Sequence, residues 1–418
     1  SRAGAVAVNR WVPDCFEKMG FYIFIQNINS NTAWSATSEP YGQAPEKYKV
    51  VFSPDKAEFI RRDGNIESHL EITVSPEDNA EIRRITLTNH SEHPRIIELT
   101  SYFEAVLGPW QEDASHPAFS KLFVMTEYVR DHKCLLAVRR PRKEEEKQVW
   151  LVHAMSVEEE HVIGEMQYDT DRMKFIGRNR DITNAEALEP DQPLSGSHGP
   201  VLDPVMSLRR RVKIEPGGTV RAVYSAALAS TRKEALELAD KYNDFRISDR
   251  TFELSWTRSR VENRYLGLAP DEIISYLDMV PFLLYNSSFK KEYAEHIENN
   301  TGSQQDLWTF GISGDLPVIL AVLEAEDEDI LEWILKGHEY LRMKGLYTDL
   351  VVLINKVKGY SQPLNEKVRN AIAASHAREL SGKPGGVFVI NASDIEPQQM
   401  SLLYTAARLV VEDSPDSF

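Results

Sequence analysis

From about residue 20 to residue 230 the chain repeats one rhythm, a short β-favouring run followed by a turn, with no helical period between. Nothing else constrains the fold as much. Strands joined by short turns pair antiparallel, whereas parallel pairing needs a crossover of about a dozen residues or more. The clearest unit is 57–62 and 66–74 around Asp63-Gly64, a dipeptide suited to the positive φ angles of a tight hairpin. Ser75-Pro76-Glu77-Asp78-Asn79 then turns the chain into 82–88, and Asn89-His90-Ser91-Glu92-His93-Pro94 turns it into 96–102. In Ile85-Thr86-Leu87-Thr88 apolar and polar residues alternate, so one face is buried and the other wetted. Residues 21–25 read as an earlier strand, and 212–215 with 220–224 around Pro216-Gly217-Gly218 as a late hairpin. Together these runs predict a large antiparallel β-sandwich.

The period changes near Thr231. Thr231 with Glu234 three residues on makes a capping box that opens Ala235-Leu236-Glu237-Leu238-Ala239 as a helix. A second helix carries Phe252, Trp256, Val261 and Tyr265 as one apolar stripe among Arg250, Arg258, Arg260 and Arg264, and such a stripe needs a surface to lie on. Further helix follows at 272–277. After Pro317, apolar runs at 318–323, 350–354 and 387–390 alternate with helical stretches. The first of these stretches has Ile330, Ile334, Leu335 and His338 on one side, the second runs from Leu364 to Leu380, and the last carries Met400, Leu403, Tyr404 and Leu409. Val/Ile-rich runs between helices mark βαβ crossovers. The expected organisation is a sandwich over 1–230, a helical linker over 231–305, and a small α/β domain with a short parallel sheet over 306–418.

Composition narrows the function. With 64 Asp+Glu against 48 Lys+Arg, the net charge of −16 opposes nucleic-acid binding, which neutralises phosphates with cations. Of two dense basic spots, Arg139-Arg140-Pro141-Arg142-Lys143 and Arg209-Arg210-Arg211, the first is followed by Glu144-Glu145-Glu146 and reads as a solvated loop. Cys15 and Cys134 cannot build a disulfide framework and neither has a second ligand at zinc spacing, so a reducing compartment is the default. No apolar run approaches the roughly 18 residues of a membrane span. No signal peptide opens the chain, and its two ends read as the edges of a fragment or a processed piece.

Sugar chemistry needs carboxylates beside aromatic platforms. One stretch offers both, Trp308-Thr309-Phe310-Gly311-Ile312-Ser313-Gly314-Asp315-Leu316-Pro317, in which Ser313, Gly314 and Asp315 form a tight loop before a buried strand. The same loop also reads as a plain helix-to-strand turn in which Asp315 bonds neighbouring amides. Trp34, Tyr41 and Trp110 lie in or beside loops of the sandwich, where a flat π-face can stack on a pyranose and where core packing is the alternative. Gly-x-Ser-x-Gly, the P-loop and Gly-x-Gly-x-x-Gly are absent. Asn355 and Asn391-Ala392-Ser393-Asp394 stand at strand ends, where open sheets bind ligands, though Ser393-Asp394 also suits a helix N-cap. His90 and His93 lie three residues apart in a turn with no third ligand, and 116–123 reads as the beginning of a strand.

Several long phrases carry a resemblance. ITVSPEDNAEIRRITLTNHSEHPRIIELTSYFE, HPAFSKLF, LLAVRRPR, RMKFIGRNRDITNAEALEP, VLDPVMSLRRRV, LWTFGISGDLPVIL and HEYLRMKGLYTDLVVL resemble, in this order, bacterial cyclic β-1,2-glucan synthases. The 1,2-β-oligoglucan phosphorylases of glycoside hydrolase family 94 are similar in the same region. The resemblance implies a galactose-mutarotase-like supersandwich and linker, set upstream of a second sandwich and an (α/α)6 barrel. That barrel carries the general acid, an Asp in a Gly-Asp-Trp-Asn-Asp-Gly motif. Here Gly314-Asp315 is followed by Leu316, and the Asn-Gly-Leu-Gly-Gly-Phe phrase of the second sandwich is missing, so no catalytic residue carries over.

The expectation is a non-catalytic part of a β-1,2-glucan-processing glycosyltransferase or glycoside phosphorylase, inactive alone, that holds the barrel and contacts the glucan. A stand-alone carbohydrate-binding protein is the alternative, and Asp315 as a general acid in a degenerate site is a third reading. The candidate sugar contacts are Trp308, Ser313, Gly314, Asp315, Trp34, Tyr41 and Trp110. Expected partners are β-1,2-glucan or a gluco-oligosaccharide and the downstream barrel, with no cofactor or metal. The expected location is the cytoplasm, or the cytoplasmic face of the inner membrane within a larger membrane protein.

Overall fold

Two sheets facing one another make the first part of the chain, and a smaller parallel sheet makes the second. The structure, a computed structural model, describes residues 1–12, 18–142, 146–285, 288–324, 328–355 and 361–412, so Cys15 and Lys143 lie outside the described residues. The chain divides into two compact units, Ser1–Ser259 and Arg260–Phe418, with the boundary inside the stretch expected to be a linker.

The first unit contains, in chain order, β1 (Arg2–Ala3), β2 (Val6–Asn9), β3 (Tyr22–Asn27), β4 (Thr32–Ser35), β5 (Lys47–Phe52), β6 (Lys56–Asp63), β7 (Ile66–Val74) and β8 (Ala80–Asn89). After these come β9 (Arg95–Pro109), β10 (Val124–Val129), β11 (Cys134–Arg139), β12 (Val149–Val157), β13 (Val162–Asp171), β14 (Pro204–Ile214) and β15 (Thr219–Ala229). One sheet has the order β1-β2-β9-β14-β13, with β3 also on β9 and β4 on β3; the other runs β10-β11-β12-β15-β8-β7-β6-β5. Every pairing in both is antiparallel, as the turn rhythm requires. Ile25, Trp34, Leu87, Leu99, Phe103, Leu151, Met206 and Tyr224 fill the space between the sheets.

The Asp63-Gly64 hairpin forms as expected, with Asp63 opposite Ile66 and Gly64 at φ 58°. Pro216-Gly217-Gly218 does not make a hairpin: β14 belongs to one sheet and β15 to the other, so this turn carries the chain across the sandwich. The turn from β8 to β9 crosses too, and the two crossings are tied together. Buried Asn89 donates its side-chain amide to the carbonyls of His93 (2.8 Å) and Ile214 (3.0 Å), and its backbone exchanges hydrogen bonds with Gly217 and Gly218. His90 and His93 are exposed in this turn.

Helices α1 (Trp110–Ser115) and α2 (Pro117–Lys121) follow β9, so 116–123 opens as a helical turn and not as a strand. Pro117 at the first helical position, where its missing N–H has no partner to lose, explains the difference. A short α3 (Arg172–Ile176) comes after β13. In α4 (Arg232–Tyr242) half of the expected capping box forms: Thr231 Oγ1 accepts from the Glu234 N–H (3.1 Å), but the Glu234 carboxylate reaches past the cap and accepts from the Ser230 N–H (2.8 Å). Its Ala235, Leu238, Ala239 and Tyr242 cover Ala80, Leu136, Val152 and Ala227 on the outer face of the eight-stranded sheet. Cys134 lies in that layer, and burial pushes its thiol up to about 12.

The stripe expected on α5 (Phe245–Leu266) is split. Phe252 is buried beneath the Arg84 guanidinium, while Trp256, Val261 and Tyr265 are more than half exposed. One arginine of each cluster, Arg139 and Arg209, is an internal fastener. Arg139 is buried at the end of β11 and donates to the Ser120 hydroxyl (3.0 Å), while Arg140, Pro141 and Arg142 beyond it lie in an exposed loop, as the sequence reading of that stretch expected. Arg209, also buried, binds Thr100 Oγ1 (2.8 Å) and the Gln192 carbonyl (2.7 Å) and pairs with Glu98 (3.2 Å).

The second unit contains α6 (Pro270–Leu284), α7 (Ala294–Asn299), β16 (Val318–Leu323), α8 (Glu328–Met343), β17 (Asp349–Ile354), α9 (Ser361–Ala374), β18 (Val387–Asn391), α10 (Pro397–Ala406) and β19 (Ala407–Val411). The sheet is wholly parallel in the order β18-β17-β16-β19. Both faces are buried, which is why its strands read as unbroken apolar runs. Ile319, Ala321, Leu350 and Val352 meet α6, α8 and α9, while Leu320, Val351, Val410 and Phe388 meet Leu402 and Leu403 of α10. Leu409, read as helical, lies in a fourth strand, because Ala407-Arg408-Leu409-Val410-Val411 is a β-favouring run directly abutting a helix. The helix read as reaching Leu380 ends at Ala374, and Arg378–Leu380 is a separate single turn.

Candidate functional site

The loop singled out by its residue types is built from the sheet outward. A 3-10 helix, Gln304–Phe310, is capped by Ser303, whose N–H and hydroxyl reach the Asp306 carboxylate at 2.7 and 3.0 Å. Leu307 and Ile312 are buried in the core beside β16, so they hold this helix and the following loop on the sheet. Gly311 ends the helix in the left-handed conformation at φ 78°. The Ser313 carbonyl gathers the loop by accepting from the Gln304 amide (3.1 Å) and the Trp308 indole N–H (3.4 Å). Gly314 sits at φ 75°, and a Cβ there would stand 2.7 Å from Gln304 Cγ, so position 314 needs glycine twice over.

The outcome is an open cavity of about 330 Å³ lined by Gln304, Trp308, Gly311, Ile312, Ser313 and Asp315. Trp308 is 62% exposed with its edge tethered to Ser313, so its ring is presented to solvent in a restricted pose. The Asp315 backbone N–H donates to Ser313 Oγ (3.2 Å), whereas its carboxylate has no hydrogen-bond or ion-pair partner among the described residues. The turn expected from residue types therefore forms, but without the carboxylate spent on it. A flat aromatic, a free carboxylate and a primary amide around one hollow can stack on a pyranose and bond its hydroxyls.

Sequence reasoning missed Asp349, the first residue of β17. It is fully buried; its N–H donates to the Pro317 carbonyl (2.9 Å) and its Oδ1 accepts from the Gly385 N–H (2.7 Å). Asp349 thus ties the end of the Asp315 loop to the turn before β18. Burial pushes its pKa up, the Gly385 N–H pulls it down, and the charge of Asp315 pushes it up further. A polar residue opening an apolar strand, in Thr348-Asp349-Leu350-Val351-Val352, was the available signal.

The other named aromatics belong to the sandwich unit. Trp34 is 3% exposed in the core, with no ring face free for a sugar. Tyr41 is half-buried edge-on to Phe24, with burial raising its pKa to about 12. Trp110 is half-buried and donates its indole N–H to the Trp11 carbonyl (3.0 Å). Of the named candidates, only the residues of the Trp308 loop line one cavity together. Its cavity precedes β16, at the N-terminal edge of the parallel sheet, opposite the edge where open sheets bind nucleotides. At that other edge Asn391 donates to Asp394 (3.0 Å), and Asn355 is exposed. The N-cap of α10 is Glu396 and not Ser393 or Asp394.

Among the described residues one trio has metal-ligating types gathered within 4.8 Å, Glu58, His69 and Glu71. The Lys56 ammonium already stands there, 3.1 Å from Glu58 and 2.8 Å from Glu71, and occupies the place a cation would take.

The chain is 33% identical over 416 residues to the cyclic beta-(1,2)-glucan synthase NdvB of Rhizobium meliloti (strain 1021), a match covering 98% of this chain and 14% of that protein. The chain thus spans about one-seventh of that relative's length. A solved bacterial glucoamylase complexed with acarbose aligns with 64% of this chain and 35% of its own, at 10% identity and a TM-score of 0.39. A family GH92 alpha-mannosidase from Bacteroides thetaiotaomicron aligns with 53% and 25%, at 10% identity and a TM-score of 0.27. Residues 1–245, more than half of the chain, match the model of the glycosyl hydrolase 94 supersandwich domain, and by that domain the chain belongs to glycosyl hydrolase family 94.

Proposed function

We propose that this chain is a non-catalytic module of a larger β-1,2-glucan-processing enzyme, and that it contacts the glucan through Trp308, Gln304 and Asp315. The observation that carries the reading is the 33% identity to a cyclic beta-(1,2)-glucan synthase, which runs through both units and not only the sandwich. In this reading the bond-breaking carboxylates lie in a partner barrel of the parent protein, and the parent is held at the cytoplasmic face of the inner membrane. The Trp308 ring stacks on one glucosyl unit while Asp315 and Gln304 bond its hydroxyls. Such a site binds weakly, because it is shallow and open to water, and it serves to guide a long chain and not to distort one bond.

Calorimetry of this chain with short linear β-1,2-gluco-oligosaccharides tests the proposal. Binding in the millimolar range is expected, weakened at least tenfold by Trp308→Ala and severalfold by Asp315→Asn. Equal affinity for the two variants and the parent sequence, or no heat at all, would dismiss the contact. Phosphate-dependent release of glucose 1-phosphate by this chain alone would dismiss the non-catalytic reading.

A further inference from the structure

We propose that the sandwich unit carries a second sugar site, a subsite for a short gluco-oligosaccharide, where the β10–β11 turn, the β12–β13 connection and the end of α4 converge. This rests on the glucan reading above and extends it to a place no motif announces. The convergence leaves a cavity of about 650 Å³, inside the roughly 300–1,000 Å³ range of small-molecule sites. Asp131, Glu158 and Asp240 stand on its walls with Arg210 and Ser156, and Phe245 adds an apolar surface.

One of these groups has donors to spare. Arg210 is half-buried, donates to the Gly164 carbonyl (3.0 Å), and has no carboxylate at ion-pair distance among the described residues. Its remaining donors have no partner among the described residues. The carboxylates, by contrast, are held in place: Asp240 by His132 Nδ1 at 2.7 Å, and Glu158 by the Arg221 backbone N–H at 3.0 Å.

The chemistry selects a neutral, polyhydroxylated ligand. An anion would be drawn to Arg210 but repelled by a lining in which carboxylates outnumber cations. A free cation would have to displace His132 and Lys133, which already pair with Asp240 and Glu159. A pyranose uses both signs. Its hydroxyls donate to Asp240 and Asp131 and accept from Arg210, while its C–H face lies on Phe245, whose ring Arg221 steadies from 5.0 Å.

Hydrogen-exchange mass spectrometry of the full chain with a linear β-1,2-linked glucotriose tests this. Protection is expected at 131–133, 156–160 and 240–245. Arg210→Gln removes a guanidinium whose one hydrogen bond among the described residues goes to the Gly164 carbonyl, so the thermal midpoint should stay within a degree or two while affinity at this site falls about tenfold. Protection confined to 304–315 overturns this subsite and leaves the Trp308 reading standing; protection confined to 131–133, 156–160 and 240–245 does the reverse. No protection anywhere overturns both, and unchanged affinity in Arg210→Gln overturns the assignment of this cavity.

Discussion

His153 Nε2 lies 2.8 Å from the Ser101 hydroxyl in the dry layer between the sheets, across 52 residues of sequence. Its Nδ1 lies 2.8 Å from the Ser225 carbonyl, which only accepts, so Nδ1 carries the proton and Nε2 accepts from Ser101. Phe21, Phe103 and Tyr224 surround the ring. Burial, the leading cause, holds its pKa down to about 4.

That neutral imidazole makes the sandwich acid-sensitive. An unfolded histidine titrates near ~6.5, so as pH falls from there toward about 4 the unfolded chain binds a proton that the folded one refuses. Stability should fall across this window by up to ~1.4 kcal/mol per pH unit from this group. In His153→Leu the slope of urea stability against pH should flatten between pH 6.5 and 4. Identical slopes in the two proteins would remove His153 from the account.

Asp349 works in the opposite sense. Its carboxyl is pushed up by burial and by the charge of Asp315, so the folded chain holds a proton that the unfolded chain releases. Stability from this group is present at low pH, declines as pH rises from the usual carboxylate range through the raised value, and stays low above it. Asp349→Asn keeps an oxygen for the Gly385 N–H and carries no charge, so it should stabilise the second unit at neutral pH and lose that advantage near pH 4. Asp349→Ala, which strands the Gly385 N–H, should destabilise it by ~1–3 kcal/mol. An Asn variant less stable than the parent at pH 7 would argue against a strained carboxyl.

Asn89 holds the two crossing turns together, and no single neighbour can replace it. Asn89→Ala leaves the His93 and Ile214 carbonyls short of a buried donor, which should cost ~2–4 kcal/mol at roughly 1–2 per carbonyl. Thermal unfolding measures the loss; a shift no larger than a surface substitution would show that water replaces the amide.

Gly337 in α8 faces the ring of Tyr276, and a Cβ there would stand 2.6 Å from Tyr276 Cε1. Tyr276 has no room to retreat, since it is fully buried and donates its hydroxyl to the Trp333 carbonyl (2.8 Å). Gly337→Ala should therefore destabilise the second unit by ~1–3 kcal/mol despite the better helix propensity of alanine. A stabilised variant in urea unfolding would show that propensity outweighs the clash.

How much of this was legible in sequence follows the range of each interaction. Thr231 and Glu234 sit one helical turn apart, and Ile85 and Leu87 sit on one face of one strand, so period and capping expose them directly. Leu409 was misplaced because ten residues of helix abut five of strand without a glycine or proline to punctuate them. Trp308 and Asp315 were legible as types, and that the carboxylate stays free while the indole is tethered was not.

The sequence by itself determined the antiparallel character of the first part, the alternation of apolar strands with helices after Pro317, the switch from period two to helical period near Thr231, and the family, since each rests on residues adjacent along the chain. Tertiary structure alone decided which sheet each strand joins, so that Pro216-Gly217-Gly218 crosses between sheets and does not close a hairpin. It alone also buried His153 and Asp349 and left Arg210 facing a hollow. The physical reason is desolvation: what a polar group costs or can bind depends on which distant segments exclude water from it, and local periodicity carries no record of those segments.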